Sequence, residues 1–165
     1  MPLHAQQLWH IECGVVRTLT WNADGELAAL GLWGPTDIVG RPMSDIEPYQ
    51  IDCLTDVKAI LLPPEAWPQA IATIIRQHRQ AERLLSIART KHQQHRLVEL
   101  LVWLADKFGQ PEVRGTGIAL RLTHQQIAEL IGSTRVTVTR QLQQLEKAKI
   151  IYRPCKQYII LSPTA

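Results

Sequence analysis

The stretch that most constrains this chain is Leu122–Leu145, LTHQQIAELIGSTRVTVTRQLQQL. It carries the start and stop signals of two short helices with a tight turn between them. Thr123 followed by Gln126 is a Thr-x-x-Gln capping box, in which each side chain takes up a backbone N–H left unpaired by the first helical turn. Ile127, Ala128 and Ile131 then fall on one helical face. Gly132 marks a stop where a positive φ is expected, and Ser133 is placed to cap the second helix. In that helix Val138, Leu142 and Leu145 recur at i, i+4, i+7 and should face inward. Val136, Thr139, Arg140 and Gln143 take the other side, and Arg135 stands at the N-terminal end. A helix that turns Arg, Thr and Gln outward from such a hairpin is shaped for a DNA major groove. There the guanidinium fork matches guanine O6 and N7. An amphipathic hairpin from any all-helical protein fits the same pattern, so the surrounding sequence has to decide.

The segment after the hairpin favours DNA. Ile150–Leu161 reads as two short β-rich runs around a Pro154-Cys155-Lys156-Gln157 turn, a candidate two-stranded wing. Charge is distributed in the same sense. Residues 110–165 carry eight Lys and Arg against three Asp and Glu, whereas residues 1–109 carry ten against twelve. The positive excess therefore sits with the helical hairpin, as phosphate binding requires, although a solvated basic face would look the same.

Upstream, residues 7–62 read as β structure. Strands are expected at Leu8–Ile11, Val15–Trp21, Glu26–Trp33, Gln50–Leu54 and Val57–Leu62, with turns at Asn22-Ala23-Asp24-Gly25 and Gly34-Pro35-Thr36-Asp37 and a less regular piece after Asp37-Ile38-Val39-Gly40 through Tyr49. After Pro63-Pro64 comes a long helical stretch. Its seam of Ile71, Ile74, Ile75, His78, Leu85 and Ala88 runs at near-heptad spacing, with Gln77, Arg79, Gln80 and Arg83 away from it. Such a seam packs on a second copy of the same helix, or on the strands of its own chain. A further helix is expected over Gln93–Phe108, with Leu97, Leu100, Leu101, Leu104 and Phe108 inward and Gly109 at its end. Residues 110–117 read as a loop and Ile118–Leu122 as a short strand.

Other function classes find little support. The 165 residues contain no Ser/His/Asp set, paired carboxylates or phosphate-cradling glycine loop, so no catalytic residue is assigned and an enzyme is not expected. Cys13, Cys53 and Cys155 form no CxxC pair, and the six histidines are scattered, so no metal site or cofactor is expected. An odd cysteine count suits a reducing cytoplasm. No apolar run approaches the ~20 residues of a membrane span, and Met1–Trp9 lacks the pattern of a secretory leader. A cytoplasmic protein with no membrane partner is the expectation.

The order of these elements resembles the cyclic-AMP-receptor/fumarate-nitrate-reductase family of bacterial transcription regulators. The residues that carry it are Leu8-x-x-Ile11-x-x-Gly14-x-Val16-Arg17, Asp24-Gly25, Leu32-x-Gly34-Pro35-x-Asp37-Ile38-Val39-Gly40 and the helical hairpin. Ile131–Arg140, with Thr123-His124-Gln125 upstream, is most similar to the nitrogen-control branch that senses 2-oxoglutarate. The resemblance implies that Arg135, Val136 and Arg140 face base edges, and that His124, Gln125, Thr134 and Thr137 touch phosphates. It also implies a homodimer on double-stranded DNA, reading palindromes with GTA and TAC half-sites, with RNA polymerase a further candidate partner. Gln141 departs from the pattern, which has an apolar residue there.

The resemblance is weaker toward the start. Family members carry several tens of residues of β structure before the Leu8 position. The cyclic-nucleotide cassette places a Glu after the Gly40 position and an Arg-Ser pair further on. Here Arg41 follows Gly40, and Glu47-Pro48-Tyr49 stands where the pair should be. An anionic cyclic phosphate would lose several charged hydrogen bonds of about 1.5–3 kcal/mol each. For 2-oxoglutarate, Glu82 matches but its arginine partner position is Gln77, with Arg76 adjacent.

The sequence thus predicts an α+β chain. A truncated antiparallel β-roll of the cyclic-nucleotide-binding kind spans 1–64, a linker and dimerisation helix 65–91, and a winged helix-turn-helix 92–165. Three functions fit: a homodimeric DNA-binding regulator with a degenerate effector pocket; a metabolite-sensing regulator using Arg41, Arg76 and Glu82; and a module that binds a partner regulator.

Overall fold

The structure is a computed structural model and describes residues 7–155 and 158–162. The chain forms two compact units, Met1–Leu84 and Leu85–Ala165.

The first unit is β-rich, and its strands follow the runs of β-branched and aromatic residues. They are β1 Leu8–Cys13, β2 Val16–Trp21, β3 Leu27–Trp33, β4 Ile38–Gly40, β5 Gln50–Cys53 and β6 Lys58–Leu62. They pair antiparallel into two three-stranded sheets, ordered β4-β1-β6 and β3-β2-β5. The β2–β3 connection is the predicted Asn-Ala-Asp-Gly turn. Asn22 Oδ1 accepts from the N–H groups of Asp24 (3.0 Å) and Glu26 (2.9 Å), which closes the turn locally. Alternate residues of the strands build the core. Ile11, Val16, Val39 and Ile51 are buried with Trp9, Trp33, Tyr49 and Val57 against them. A second cluster of Leu8, Ile38 and Ala70 meets Leu62, Trp67 and Ile74.

A 3₁₀ helix, Pro64–Ala70, leads into α1, Ile71–Arg89. The tighter turn fits Pro68, which has no N–H to give and disfavours α conformation in the residue before it. Two stripes run along α1, side by side. Ala70, Ile74, Gln77, Ala81, Leu84 and Ala88 follow a 4-3-4-3-4 spacing and are buried or half-buried. Ile71, Ile75, His78, Glu82, Leu85 and Arg89 follow the same spacing and are exposed. The predicted seam mixes the two: Ile74 and Ala88 belong to the covered stripe, and Ile74 packs on the β-rich core. Gln77, expected on the polar side, is buried instead. Its Nε2 donates to the Ile38 carbonyl at 2.8 Å, and its Oε1 accepts the Ile38 N–H at 3.1 Å. Because β4 is an edge strand, these two backbone groups need a partner, and Gln77 supplies what a further strand would.

The second unit contains α2 Gln93–Phe108, β7 Gly109–Glu112, β8 Gly115–Ile118, α3 His124–Ile131, α4 Arg135–Lys147, β9 Ile151–Cys155 and β10 Tyr158–Leu161. Its four-stranded antiparallel sheet is ordered β7-β8-β10-β9. Residues 110–117, read from sequence as a loop, form most of the β7–β8 hairpin, and Ala119–Thr123 is not strand. Gly-Gln-Pro-Glu and Gly-Thr-Gly-Ile have little strand propensity. Pairing of β8 with β10, Ile118 opposite Ile159, supplies the order that propensity does not. Pro111 is tolerated because β7 is an edge. Gly109 is required by close approach, since a Cβ there would stand 2.0 Å from the Ala105 carbonyl oxygen. Leu97, Leu100, Leu101 and Leu104 of α2 are fully buried with Ile127 and Ile131 of α3 and Val138, Leu142 and Leu145 of α4. The predicted wing is β9–β10. Pro154 and Cys155 lie in β9, and Lys156–Gln157 fall outside the described residues.

Candidate nucleic-acid interface

The α3–α4 hairpin is built by local chemistry. Thr123 Oγ1 accepts the Gln126 N–H at 3.2 Å, and Gln126 Oε1 accepts the Thr123 N–H at 2.8 Å, the reciprocal box expected from the sequence. Gly132 takes φ 59°, and the N–H groups of Gly132 and Ser133 both return to the Ala128 carbonyl. No atom lies near a Cβ added there, so the left-handed backbone alone asks for glycine. The cap of α4 is Thr134 rather than Ser133: its Oγ1 accepts the Thr137 N–H at 3.2 Å. Ser133 is held by its N–H in the turn, and its Oγ is buried without a partner. Thr134 is the extended residue directly before the helix, which is where a cap must stand.

Burial fixes which face of α4 is offered. Val138, Leu142 and Leu145 are fully buried, whereas Arg135 and Arg140 are exposed and Val136 is 78% exposed. Neither Arg135 nor Arg140 enters an ion pair among the described residues. Thr139, expected to face outward, is half-buried and turned to its neighbours. Its Oγ1 donates to the Arg135 carbonyl (2.8 Å) and lies 2.7 Å from His124 Nδ1. All seven residues proposed to meet DNA lie on this hairpin. Thr134 donates to Thr137 Oγ1 at 2.9 Å, and Gln125 donates to Glu129 at 3.0 Å. The first turns of α3 and α4 contain no acidic residue. The N-terminal ends of α3 and α4 therefore keep their positive partial charge, with Arg135 in the first turn of α4. His124 stands at the start of α3. Burial pushes its pKa down, and Arg153 and Arg135 push it further the same way.

Two further arginines hold the hairpin and were not singled out from the sequence. Arg153 of β9 pairs with Glu146 of α4, Nε to Oε2 at 3.0 Å. Arg96 of α2 donates to the Thr90 carbonyl through Nε (2.9 Å) and Nη2 (2.8 Å), and through Nη1 to the Ile131 carbonyl at 2.7 Å. It thereby neutralises the chain ends that follow α1 and close α3. The one signal in sequence is an arginine in the first turn of α2, where the dipole would disfavour it unless other carbonyls called for it.

The residues proposed for an effector are not brought together. Arg41 is held in its own loop by the Ser44 carbonyl, the Ile46 carbonyl (3.1 Å) and the Glu47 carboxylate. Arg76 donates to the Thr36 carbonyl (3.0 Å), Thr36 Oγ1 (3.1 Å) and Asp37 (3.3 Å). Glu82 lies 3.5 Å from His78 on the exposed stripe. A cavity of about 520 Å³ does exist in the first unit, lined by Trp33, Met43, Ile46, Tyr49, Ile74 and Gln77 among others. Among the described residues its lining contains no Arg, Lys, Asp or Glu. Tyr49 stays neutral there: burial pushes its pKa up to about 12 against the opposing charge of Arg41. No group of three or more His, Cys, Asp or Glu among the described residues could hold a metal ion.

A helical hairpin with one open face, followed by a paired wing, defines a winged helix-turn-helix protein. Residues 95–165 match the Crp-like helix-turn-helix domain. The chain is 43% identical over 166 residues to regulatory protein CysR of Synechococcus elongatus, covering 99% of this chain and 80% of that protein. It is 41% identical over 152 residues to the global nitrogen regulator of Synechocystis, covering 92% of this chain and 63% of that protein. In fold it is similar to a CRP-family transcriptional regulator of Thermus thermophilus. The TM-score is 0.81 at 23% identity, with 96% of this chain and 84% of that one covered. The chain belongs to the Crp/Fnr family of transcription regulators. No helix among the described residues is long and apolar enough to cross a membrane.

Proposed function

We propose that this Crp/Fnr regulator acts as a homodimer that reads a GTA/TAC-type palindrome and needs no anionic effector to do so. The observation that carries the reading is the division of α4, whose inner residues are fully buried while Arg135, Val136 and Arg140 stand open. Arg135, Val136 and Arg140 face base edges; His124, Gln125, Thr134 and Thr137 approach phosphates. The exposed stripe of α1 supports dimerisation: Ile71 is 56%, Ile75 48% and Leu85 57% exposed, three apolar residues on one helical line. In this reading residues 1–64 are an effector-like β-roll, 65–91 join the copies and 92–165 hold DNA, with RNA polymerase a further partner.

Two reading helices meet one palindrome only if they stand about 34 Å apart. Purified protein with nothing added is therefore expected to shift a GTA/TAC duplex and not a scrambled one, and to give no calorimetric heat with cyclic AMP. Specific binding that appears only with an added metabolite would overturn the effector-free part. A second reading, a metabolite-sensing regulator, is favoured by the cavity itself. Among the described residues its lining has no Arg or Lys to pair with 2-oxoglutarate or cyclic AMP, His78 being the one basic side chain there, which argues against both as the metabolite.

A further inference from the structure

His124 opens α3, yet its ring turns to α4, with Nδ1 2.7 Å from Thr139 Oγ1. A threonine hydroxyl has one proton to give, and Thr139 gives it to the Arg135 carbonyl, 2.8 Å away. At the histidine contact Oγ1 is therefore the acceptor and Nδ1–H the donor. In a neutral imidazole held this way Nε2 carries a lone pair and no proton. A phosphate oxygen can only accept, so the neutral ring has nothing to offer it.

On the strength of the DNA-binding reading, we propose that His124 meets the DNA backbone through Nε2 only as imidazolium, so that each subunit takes up a proton when it binds DNA. Thr139 is the positioning residue that makes the contact conditional, because it fixes which nitrogen holds the neutral ring's single proton. The charged groups acting on the ring are Arg153 on β9, itself paired with Glu146, and Arg135 on α4. Burial first, and then these two cations, hold its pKa below the ordinary 6.5. The free protein thus presents a neutral ring at pH 7, and a phosphate supplies the negative charge that favours protonation. The sign follows from linkage. Proton uptake on binding makes affinity fall as pH rises from the free pKa to the bound pKa. Below the free pKa the ring is charged in both states and the dependence disappears.

The test is the affinity of the full chain for its palindromic duplex between about pH 5 and 8 at fixed ionic strength. The expected loss is up to about tenfold per pH unit for each subunit. H124R, with a permanent cation, and H124Q, with none, are both expected to give flat profiles, H124Q at lower affinity. T139V frees the neutral ring to carry its proton on Nε2, so its slope is expected to shrink while thermal unfolding shows the fold intact. Nitrogen-15 spectra of the free imidazole should report the Nδ1–H tautomer. A flat wild-type profile with specific binding intact, a slope that survives in H124Q, or the Nε2–H tautomer would each overturn the proposal alone. Absence of specific binding at every pH would overturn the DNA-binding reading and this inference with it.

Discussion

The arginines that bond within the first unit differ from two that stand on the α3–α4 hairpin of the second. In the first, Arg17 pairs with Asp52 at 3.0 Å, Arg41 is enclosed by its own loop, and Arg76 grips Thr36 and Asp37. These cations are partners of the fold. In the second, Arg96 and Arg153 do the same work, but Arg135 and Arg140 stand exposed at a helix already anchored by Val138, Leu142 and Leu145. Exposure without an ion pair among the described residues is what the proposed contact with DNA asks of these two, and Arg79 on α1 is exposed in the same way. The same logic applies to apolar residues on α1, where one stripe is covered and its neighbour is open. Counting charges or spacing hydrophobics would treat all of these alike; contacts separate them.

The strongest way to break this contrast is at the open stripe. Ile75→Glu with Leu85→Glu should leave the chain folded but monomeric in sedimentation. Loss of the second half-site contact should then weaken palindrome binding by about 10²-fold or more. A double variant that remains dimeric would place the interface elsewhere. Next in size is a matched pair of arginines. Arg140→Ala should lose roughly 1–3 kcal/mol on the specific duplex and little on random DNA, with thermal stability unchanged. Arg76→Ala should do the reverse, costing about 1–2 kcal/mol of stability because its bonds to Thr36 and Asp37 are lost. If both variants lose stability, the distinction between open and committed arginines fails. The smallest effect sharpens the contrast from inside. Gln141 is buried on α4, and its Oε1 has no partner. Gln141→Leu should therefore raise stability by about 1 kcal/mol, visible as a higher Tm in calorimetry.

Much of this arrangement is legible in the sequence because local rules carry it. The Thr123–Gln126 box, the left-handed Gly132, five of the first unit's six strands and the inward face of α4 each follow from signals a few residues long. What escapes is chemistry set by distant residues. Gln77 reads as a surface residue, yet it completes the edge of β4, thirty-nine positions away. The β7–β8 hairpin reads as a loop because β10 supplies its order. The two stripes of α1 have the same spacing, and only the packing of Leu8, Ile38 and Ala70 decides which one is covered. Arg41, Arg76 and Glu82 look like a charged set in sequence, and each finds a neighbour that removes it from the cavity. Spacing puts Arg140 on the outward face of its helix, whereas the expected phosphate contact of His124 rests on the resemblance alone.

Arg96 joins the Thr90 carbonyl, just past the end of α1, to the Ile131 carbonyl at the close of α3. A single planar cation thus acts as a rivet with three heads. To pivot the reading helices on the end of α1, all of these bonds would have to let go in one step. A movement of the α3–α4 hairpin against the segment that follows α1 would therefore cost charged hydrogen bonds, so Arg96 ties the two together.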